Sequence, residues 1–382
     1  MVYPVGNWRK MSMYNFNCPH CGRKLETDVD CGGLEVVCPS CGKSFKCGPS
    51  ATKPGEAINV GKIATNIANK FTEVTGTEKL EGFSLRALFS EVFSKHASEE
   101  VESYFTVGTA ATTPPIDLVD TSWPRPWVFF RMLFGSVVVY LIFMFGWHEY
   151  GQVNLLPGMM MIGSFAVPFS ALIFFMEANV ARNISLYQVV RCVVFGGVGS
   201  LILTFVLHTL PGMQSLDWLG ASIAGITEEP AKLFAVLLVP GVSRYRYKIN
   251  GLLLGAAVGT GFAAFESAGY AFSILIQSED VSVMENVIFF RGILSPLGHI
   301  VWTAITAAAL WRVKGDAKFA FGMLGDKRFW HLALVPVVLH MVWNSPLELP
   351  FFGKYLILGV VGWFIVLSLL QEGLKELRAL KR

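Results

Sequence analysis

Eight stretches of apolar residues dominate the last two thirds of the chain and set its fold class. Each is close to the roughly 20 residues that a helix needs to cross a bilayer. They cover roughly residues 127–147, 155–177, 188–210, 218–240, 249–277, 288–312, 329–347 and 354–371. The pattern predicts an all-α, multi-pass membrane protein with about eight transmembrane helices.

The composition of the 382 residues agrees with this pattern, because 53% are hydrophobic and 15% are charged. Soluble domains carry about 25% charged residues. The charges concentrate near the start: 26 of the first 122 residues are charged, against 33 of the remaining 260. We therefore predict a soluble first third and a membrane-embedded remainder. This excludes an ordinary soluble enzyme, a disordered chain and a disulfide-rich secreted module.

Basic residues between the apolar segments predict the orientation in the membrane. With the N-terminus inside, the inner side carries sixteen Lys and Arg residues, and the outer side carries only Arg291 and Lys354. The first residues lack the apolar core of a signal peptide. We expect a multi-pass protein of the cell (inner) membrane with both termini cytoplasmic. The basic residues on the inner side of the membrane account for the net charge of +3. We therefore expect no nucleic-acid partner.

Two cysteine pairs near the N-terminus have the spacing of a metal site. Cys18-Pro-His-Cys21 and Cys38-Pro-Ser-Cys41 are separated by 16 residues, and four thiolates so arranged can converge tetrahedrally on zinc. The sequence resembles small CPxCG-type zinc ribbons, which precede many unrelated domains. The pattern predicts structural Zn²⁺ in a cytosolic docking module of unknown partner, with a disulfide pair or free thiols as the alternative.

The composition divides the chain into four regions. Residues 1–48 are predicted to form the zinc ribbon after a disordered start at 1–16, and residues 49–126 a cytosolic linker with an amphipathic helix. Residues 127–371 form the transmembrane domain, and residues 372–382 a basic cytosolic tail. Within 81–105, apolar residues recur at helical spacing from Leu85 to Phe93. Their mixed polar face favours packing on the helical bundle over lying on the membrane surface.

Ionisable side chains inside apolar spans are costly and mark candidate functional residues. Here they occur in four successive spans, at Glu228, Glu229, Lys232, Glu266, His299 and His340. At a rise of about 1.5 Å per residue, the acidic and imidazole groups lie roughly 10–17 Å below the outer boundary. Groups that share one depth predict one site. The alternatives are a purely structural cluster, an ion-coupled transporter and a non-catalytic membrane scaffold.

The residue types favour activation of water. No Ser or Cys in a recognisable nucleophile pattern lies beside a His at this depth, whereas paired carboxylates with imidazoles suit general acid–base chemistry. The helical spacing i, i+4 joins Phe262 to Glu266, Glu228 to Lys232 and His340 to Asn344 on shared faces. Two carboxylates and two imidazoles are also able to supply metal ligands, which leaves a metal-activated water as the alternative.

Four short motifs, taken in order, resemble the PrsW family of intramembrane proteases, which is distantly similar to the CAAX prenyl endopeptidases. They are EExxK at 228–232, FxxxE at 262–266, His299 and HxxxN at 340–344, and the resemblance covers roughly residues 127–371. The second motif of the CAAX branch carries a His where this chain has Glu266, which favours the PrsW branch.

The resemblance implies an endopeptidase that hydrolyses membrane-anchored proteins such as anti-sigma factors. It implies that Glu228 is the base, that Lys232 holds Glu229, and that Glu266 and His299 position the water. His340 and Asn344 then polarise the scissile carbonyl. A glutamic mechanism is favoured over a metalloprotease, because Glu266 replaces the His that a zinc site uses more readily.

Overall fold

The computed structural model describes residues 14–27, 35–46, 70, 72–78, 80–218, 220–238 and 245–381. The chain divides into two units, residues 1–67 and 68–382, and each is described by itself. Cys31, Cys47 and residues 49–69 of the predicted linker region 49–126 lie outside the described residues.

The first unit contains two antiparallel hairpins, one for each cysteine pair. Their strands are β1 (Tyr14–Asn17), β2 (Lys24–Thr27), β3 (Glu35–Val37) and β4 (Ser44–Lys46). Gly22 and Gly42 follow the second cysteine of each pair with φ of 71° and 69°, a left-handed conformation that glycine adopts at little cost. Strand β1 begins at Tyr14, so the predicted disordered start is wrong for the last residues of 1–16.

The second unit is mostly helical. Its helices are α1 (Leu85–Leu88), α2 (Ser98–Phe105), α3 (Val128–Tyr150), α4 (Leu156–Ala178), α5 (Leu186–Arg191), α6 (Gly197–His208), α7 (Ser222–Leu238), α8 (Lys248–Ser278), α9 (Val281–Leu294), α10 (His299–Lys314), α11 (Lys327–Asn344) and α12 (Gly353–Leu380). A π-helical turn, Cys192–Gly196, joins α5 to α6. The long helix α8 is almost entirely buried along its first half, so it forms the centre of the bundle.

Six helical stretches in the described part of the chain are long and apolar enough to cross a membrane. They are Val128–Tyr150, Val153–Ala178, Leu186–His208, Lys248–Ser278, Val281–Lys314 and Pro350–Leu380. The other two predicted segments correspond to α7 and α11, which are not among the six. Helix α7 has only 17 residues, and both helices carry the polar candidates, which lower their hydropathy. The structure therefore supports a multi-pass membrane protein without confirming eight spans.

Small residues on α8 allow it to pack closely against α10. A Cβ atom added at Gly259 would lie 2.5 Å from the carbonyl oxygen of His299, and one at Gly255 would overlap the carbonyl oxygen of Thr303. Only glycine permits this approach. The close packing fixes the height of His299 relative to α8, so the small residues of α8 also position the site.

Proline breaks the sixth predicted span into two helices. Pro296 lies in a short 3₁₀ turn, Ser295–Leu297, between α9 and α10. Proline has no backbone N–H to donate, and its ring clashes with the carbonyl group four residues earlier in a helix. Residues 288–312 therefore do not form one continuous helix. His299 consequently begins α10 instead of lying in the middle of a span.

Two further expectations differ from the structure. The stripe within 81–105 forms the four-residue helix α1 and then turns, because the Ser90 hydroxyl binds the Ala87 carbonyl at 2.9 Å and competes with the helical hydrogen bonds. Leu88 is buried in the core of the second unit, in agreement with packing on the bundle. Residues 372–380 continue α12 instead of forming a free tail, and Glu372 is buried beside Arg312 at 3.1 Å.

Candidate active site

Four helices bring the predicted intramembrane residues into one cluster. Helix α7 carries Glu228, Glu229 and Lys232, and α8 carries Glu266 with Phe262 one turn before it. His299 lies at the start of α10, and His340 lies in the second half of α11. Glu229 and His340, more than 100 positions apart in the sequence, form a hydrogen bond here. The residues that were expected at one depth in the membrane therefore lie in one contiguous cluster.

Glu229 is the most enclosed carboxylate of the cluster. Its Oε1 accepts hydrogen bonds from Lys232 Nζ at 2.7 Å and from His340 Nδ1 at 2.8 Å. The side chains of all three residues are buried. Charge-assisted bonds of this length are strong and directional, so Glu229 fixes the orientation of both the ammonium group and the imidazole.

Lys232 connects the pair of glutamates to His299. Its Nζ donates to His299 Nδ1 at 2.9 Å and lies 3.5 Å from Glu228 Oε2. The ring of Phe262 lies beneath the ammonium group, with its centroid 4.3 Å from Nζ, and it also contacts the His299 ring at 5.0 Å. A cation above an aromatic face is attracted by the ring. Phe262 therefore positions Lys232 and His299 together.

Glu266 links His299 to an arginine. His299 Nε2 lies 3.2 Å from Glu266 Oε2, and Arg291 on α9 forms an ion pair with the same carboxylate. Arg291 Nε also donates to Ser267 Oγ at 3.0 Å. Since Nδ1 of His299 accepts from Lys232, its proton is on Nε2 and faces Glu266. Glu266 thus sets the tautomer of His299.

Glu228 Oε2 is buried without a hydrogen-bond partner among the described residues, and so is Glu229 Oε2. Glu228 differs from Glu229 because Glu229 already binds Lys232 and His340 through its Oε1. Glu228 Oε2 lies 3.8 Å from both His299 Nδ1 and His340 Nε2. A buried carboxylate oxygen without a partner is costly. Its position between two imidazoles suits an acceptor that acts on a small molecule such as water.

Asn344 is the predicted site residue that the structure does not bring into the cluster. It is the last residue of α11, is exposed, and makes no hydrogen bond to the Glu and His side chains in the described part of the chain. A side chain at the end of a helix is free to reorient when a substrate binds. Its role in polarising the carbonyl stays a prediction.

Two residues at the site were missed by the sequence reasoning. Arg291 was assigned to an outer loop, although it lies inside the predicted span 288–312, where an Arg is itself a functional signal. Trp302 lies one turn after His299 and packs against His299 and His340, with ring centroids 5.2 and 4.6 Å apart. The i, i+3 spacing from His299 could have indicated Trp302.

The cluster also offers a set of donors that a metal could use. One ligand atom each of Glu228, His299 and His340 lies within 4.8 Å of the others, and zinc accepts carboxylate and imidazole ligands. However, His299 already receives a hydrogen bond on Nδ1 from Lys232, whose ammonium is 3.5 Å from Glu228. Like charges repel strongly at this separation in a buried site. The residues as arranged therefore do not fit a divalent ion.

The four predicted zinc ligands lie together in the first unit. One sulfur atom from each of Cys18, Cys21, Cys38 and Cys41 lies within 4.8 Å of the others, and all four cysteines are free. The Sγ atoms of Cys18 and Cys41 are 3.8 Å apart, as are those of Cys21 and Cys38. A tetrahedron of Zn–S bonds of about 2.3 Å has edges of about 3.8 Å. The cluster is therefore able to bind a metal such as zinc.

Comparison with known proteins gives one match. Residues 185–370, just under half of the chain, match a family model described as PrsW family intramembrane metalloprotease. The matched region contains every Glu and His of the cluster, and the first two predicted spans lie outside it. No curated protein and no solved structure matches the chain. The match supports the PrsW family, and with it an intramembrane protease, for residues 185–370.

Proposed function

We propose that the chain is an intramembrane endopeptidase that hydrolyses membrane-anchored proteins with a water molecule activated by Glu228. The observation that carries this proposal is the position of the buried Glu228 Oε2, which has no hydrogen-bond partner among the described residues and lies 3.8 Å from both His299 Nδ1 and His340 Nε2. The two neighbouring glutamates are each held by two partners and are therefore less suited to accept a proton. The family match supports the same class of reaction.

The chemical step follows from the positions of Glu228 and His340. Glu228 Oε2 accepts a proton from a water molecule as the water oxygen attacks the scissile carbonyl carbon. His340 Nε2, 3.8 Å from Glu228 Oε2, faces the same volume and donates to the developing oxyanion when the ring is protonated. Glu228 then returns the proton to the leaving amide nitrogen, which departs as an amine. The products are a carboxylic acid and an amine, so atoms and charge balance.

The cluster contains one more carboxylate than permanent cation. Three carboxylates, Glu228, Glu229 and Glu266, lie beside two permanent cations, Lys232 and Arg291. The excess of one negative charge is unfavourable in an environment of low dielectric constant. One additional proton within the cluster removes the excess.

The other predicted residues orient the reacting groups. Glu266 holds His299 from one side and Lys232 holds it from the other, so His299 faces the attacking water in a fixed tautomer. Phe262 supports both Lys232 and His299. Asn344 adds a second donor to the oxyanion after α11 adjusts to the substrate.

The metal-dependent alternative is the one named by the family description. Under that alternative, an ion held by Glu228, His299 and His340 would lower the pKa of its bound water. The ammonium of Lys232, 2.9 Å from His299 Nδ1, opposes a second cation there. The glutamic mechanism is therefore the one that we propose.

The topology and the ribbon complete the proposal. The excess of basic residues on one side, sixteen against two, supports a cell (inner) membrane location with both termini cytoplasmic. The proposed substrates are membrane-anchored proteins such as anti-sigma factors, cut in the outer half of their span. The two cysteine hairpins, within residues 14–27 and 35–46, belong to the proposed zinc ribbon, which docks an unidentified cytosolic partner.

Incubation of the purified full-length chain with a library of single-span peptides in liposomes tests the function. We expect cleavage within the outer half of the peptide span, and loss of cleavage in Glu228→Gln. Flux of a solute without any cleavage would instead indicate a transporter. The absence of both activities, with the protein folded, would indicate a scaffold.

A further inference from the structure

A cavity of about 300 Å³ adjoins the catalytic cluster on the side of α9 and α12. His299 and Arg291 form part of its wall, so anything bound there lies next to His299, whose Nδ1 is 3.8 Å from Glu228 Oε2. Half of the remaining wall residues are aromatic, and the wall comes from five helices, including Ala263 on α8, and from the turns before α10 and α12. It includes Phe290, Trp302, Trp343, Phe352 and Tyr355. We call this space the aromatic cavity.

The aromatic walls contact each other and form a preshaped surface. Trp343 packs against Trp302 and Tyr355, with ring centroids 5.4 and 4.5 Å apart. Phe290 packs against Phe352 at 5.4 Å. Edge-on and tilted pairs at these distances stabilise one another. The cavity is therefore held open by its own walls.

Two residues of the cavity wall carry buried polar groups without a partner in the described part of the chain. Trp302 is 1% exposed, yet its Nε1 makes no hydrogen bond to any residue that the structure describes, and neither does the buried Ser295 Oγ. Both groups donate hydrogen bonds, and a buried donor without an acceptor is costly. The acceptor expected beside them is an oxygen atom, which a peptide carbonyl provides and a lipid acyl chain does not.

The rim of the cavity contains a strained segment. Phe351 and Phe352 have φ angles of 55° and 57°, and residues other than glycine held in this conformation cost on the order of 1–3 kcal/mol each. Such conformations cluster at ligand clamps. Phe352 is about half exposed, so its ring is accessible from outside the bundle.

We propose that the aromatic cavity is a substrate subsite that takes one large apolar or aromatic side chain flanking the scissile bond, while Trp302 Nε1–H donates to a backbone carbonyl of the same substrate. The volume lies at the lower end of ligand pockets, so it suits one bulky side chain and not a whole helix. This inference rests on the proposed peptidase function and names the residue class that the site prefers.

The test compares the kcat/KM of full-length enzyme for single-span peptides that carry Ala, Leu, Phe or Trp on either side of the cleaved bond. One added methylene on a substrate in an apolar pocket changes the ratio of kcat/KM values between the two substrates by about tenfold or more. We expect the wild type to prefer Leu or Phe to Ala by at least about tenfold. Phe352→Ala should shift the preference towards Trp, and Ala263→Leu, which narrows the cavity, should shift it towards Ala.

Phe272→Ala is the matched control, because Phe272 is exposed on α8 and is not part of the wall. It should leave the preference unchanged. If Ala263→Leu does not fold, Phe352→Ala alone decides the test. Cleavage with the same preference in Phe352→Ala as in the wild type would overturn the subsite. No cleavage of any peptide by the wild type would overturn the proposed function itself, and the subsite with it.

Discussion

Replacing Glu228 by Gln should remove catalysis and leave the fold in place. The substitution keeps the shape of the side chain and removes its ability to accept a proton. Loss of a general base lowers turnover by about 10²–10⁴-fold, which corresponds to about 3–5 kcal/mol of transition-state stabilisation. Glu228 Oε2 makes no hydrogen bond within the described residues, and Lys232 keeps its bond to Glu229 at 2.7 Å. The free energy of unfolding should therefore fall by no more than about 1 kcal/mol.

Glu229→Gln is the matched comparison, since it makes the same chemical change one residue away. Glu229 Oε1 holds both Lys232 and His340, and its side chain is 2% exposed. Breaking a buried pair by removing one charge costs about 3–5 kcal/mol. We expect Glu229→Gln to lose this much stability as well as turnover.

The assay measures cleavage of one single-span peptide and chemical denaturation in the same mixed micelles for both variants. The reasoning predicts two inactive proteins of different stability. It would be refuted by a Glu228→Gln variant that retains more than about a tenth of wild-type turnover. Equal loss of stability in the two variants would refute the structural distinction between the two carboxylates.

Three further predictions concern other parts of the molecule. Trp302→Phe keeps the aromatic wall but removes the indole N–H, so kcat should fall by about 10²-fold while the substrate preference changes little. An unchanged kcat would exclude Trp302 as a hydrogen-bond donor to the substrate. Cys18→Ser should lower bound zinc, measured by elemental analysis, from one per chain to none, while the unfolding of the membrane unit stays as in the wild type; a wild-type chain without zinc would contradict the ribbon. Gly255→Ala should lower the unfolding free energy by about 1–3 kcal/mol, because the added methyl group would overlap the Thr303 carbonyl. Gly199→Ala is the control and should not destabilise the protein, because there is open space around Gly199. Equal effects of the two substitutions would refute the close packing of α8 on α10.

The composition of the intramembrane Glu and His cluster could be predicted because charge is rare inside apolar spans. Glu228, Glu266 and His340 stand out in their segments, and counting residues from the span ends gives them one depth. The small-residue face of α8 could be predicted for a similar reason, since Gly255 and Gly259 recur every four residues in an apolar helix.

The partners within the cluster could not be predicted, because they depend on how the helices rotate and where they break. The break at Pro296 places His299 at the start of a helix, which a continuous span of 25 residues conceals. Arg291 reaches Glu266 from a separate helix, and only the packing of α9 against α8 reveals this pair. The predicted end of the last span, residue 371, was also wrong. The helix continues past the charged residue Glu372, which is buried in an ion pair with Arg312.

The central claim is that Glu228 activates water without a metal ion. The most direct measurement is peptide cleavage by the full-length Cys18→Ser/Cys38→Ser variant after exhaustive chelation, with the metal content determined in the same sample. These substitutions remove the proposed ribbon zinc, so any remaining metal belongs to the membrane unit. The account predicts undiminished cleavage at a metal content near zero, and no cleavage when Glu228→Gln is added. Loss of cleavage on chelation and its recovery on adding zinc would contradict the account.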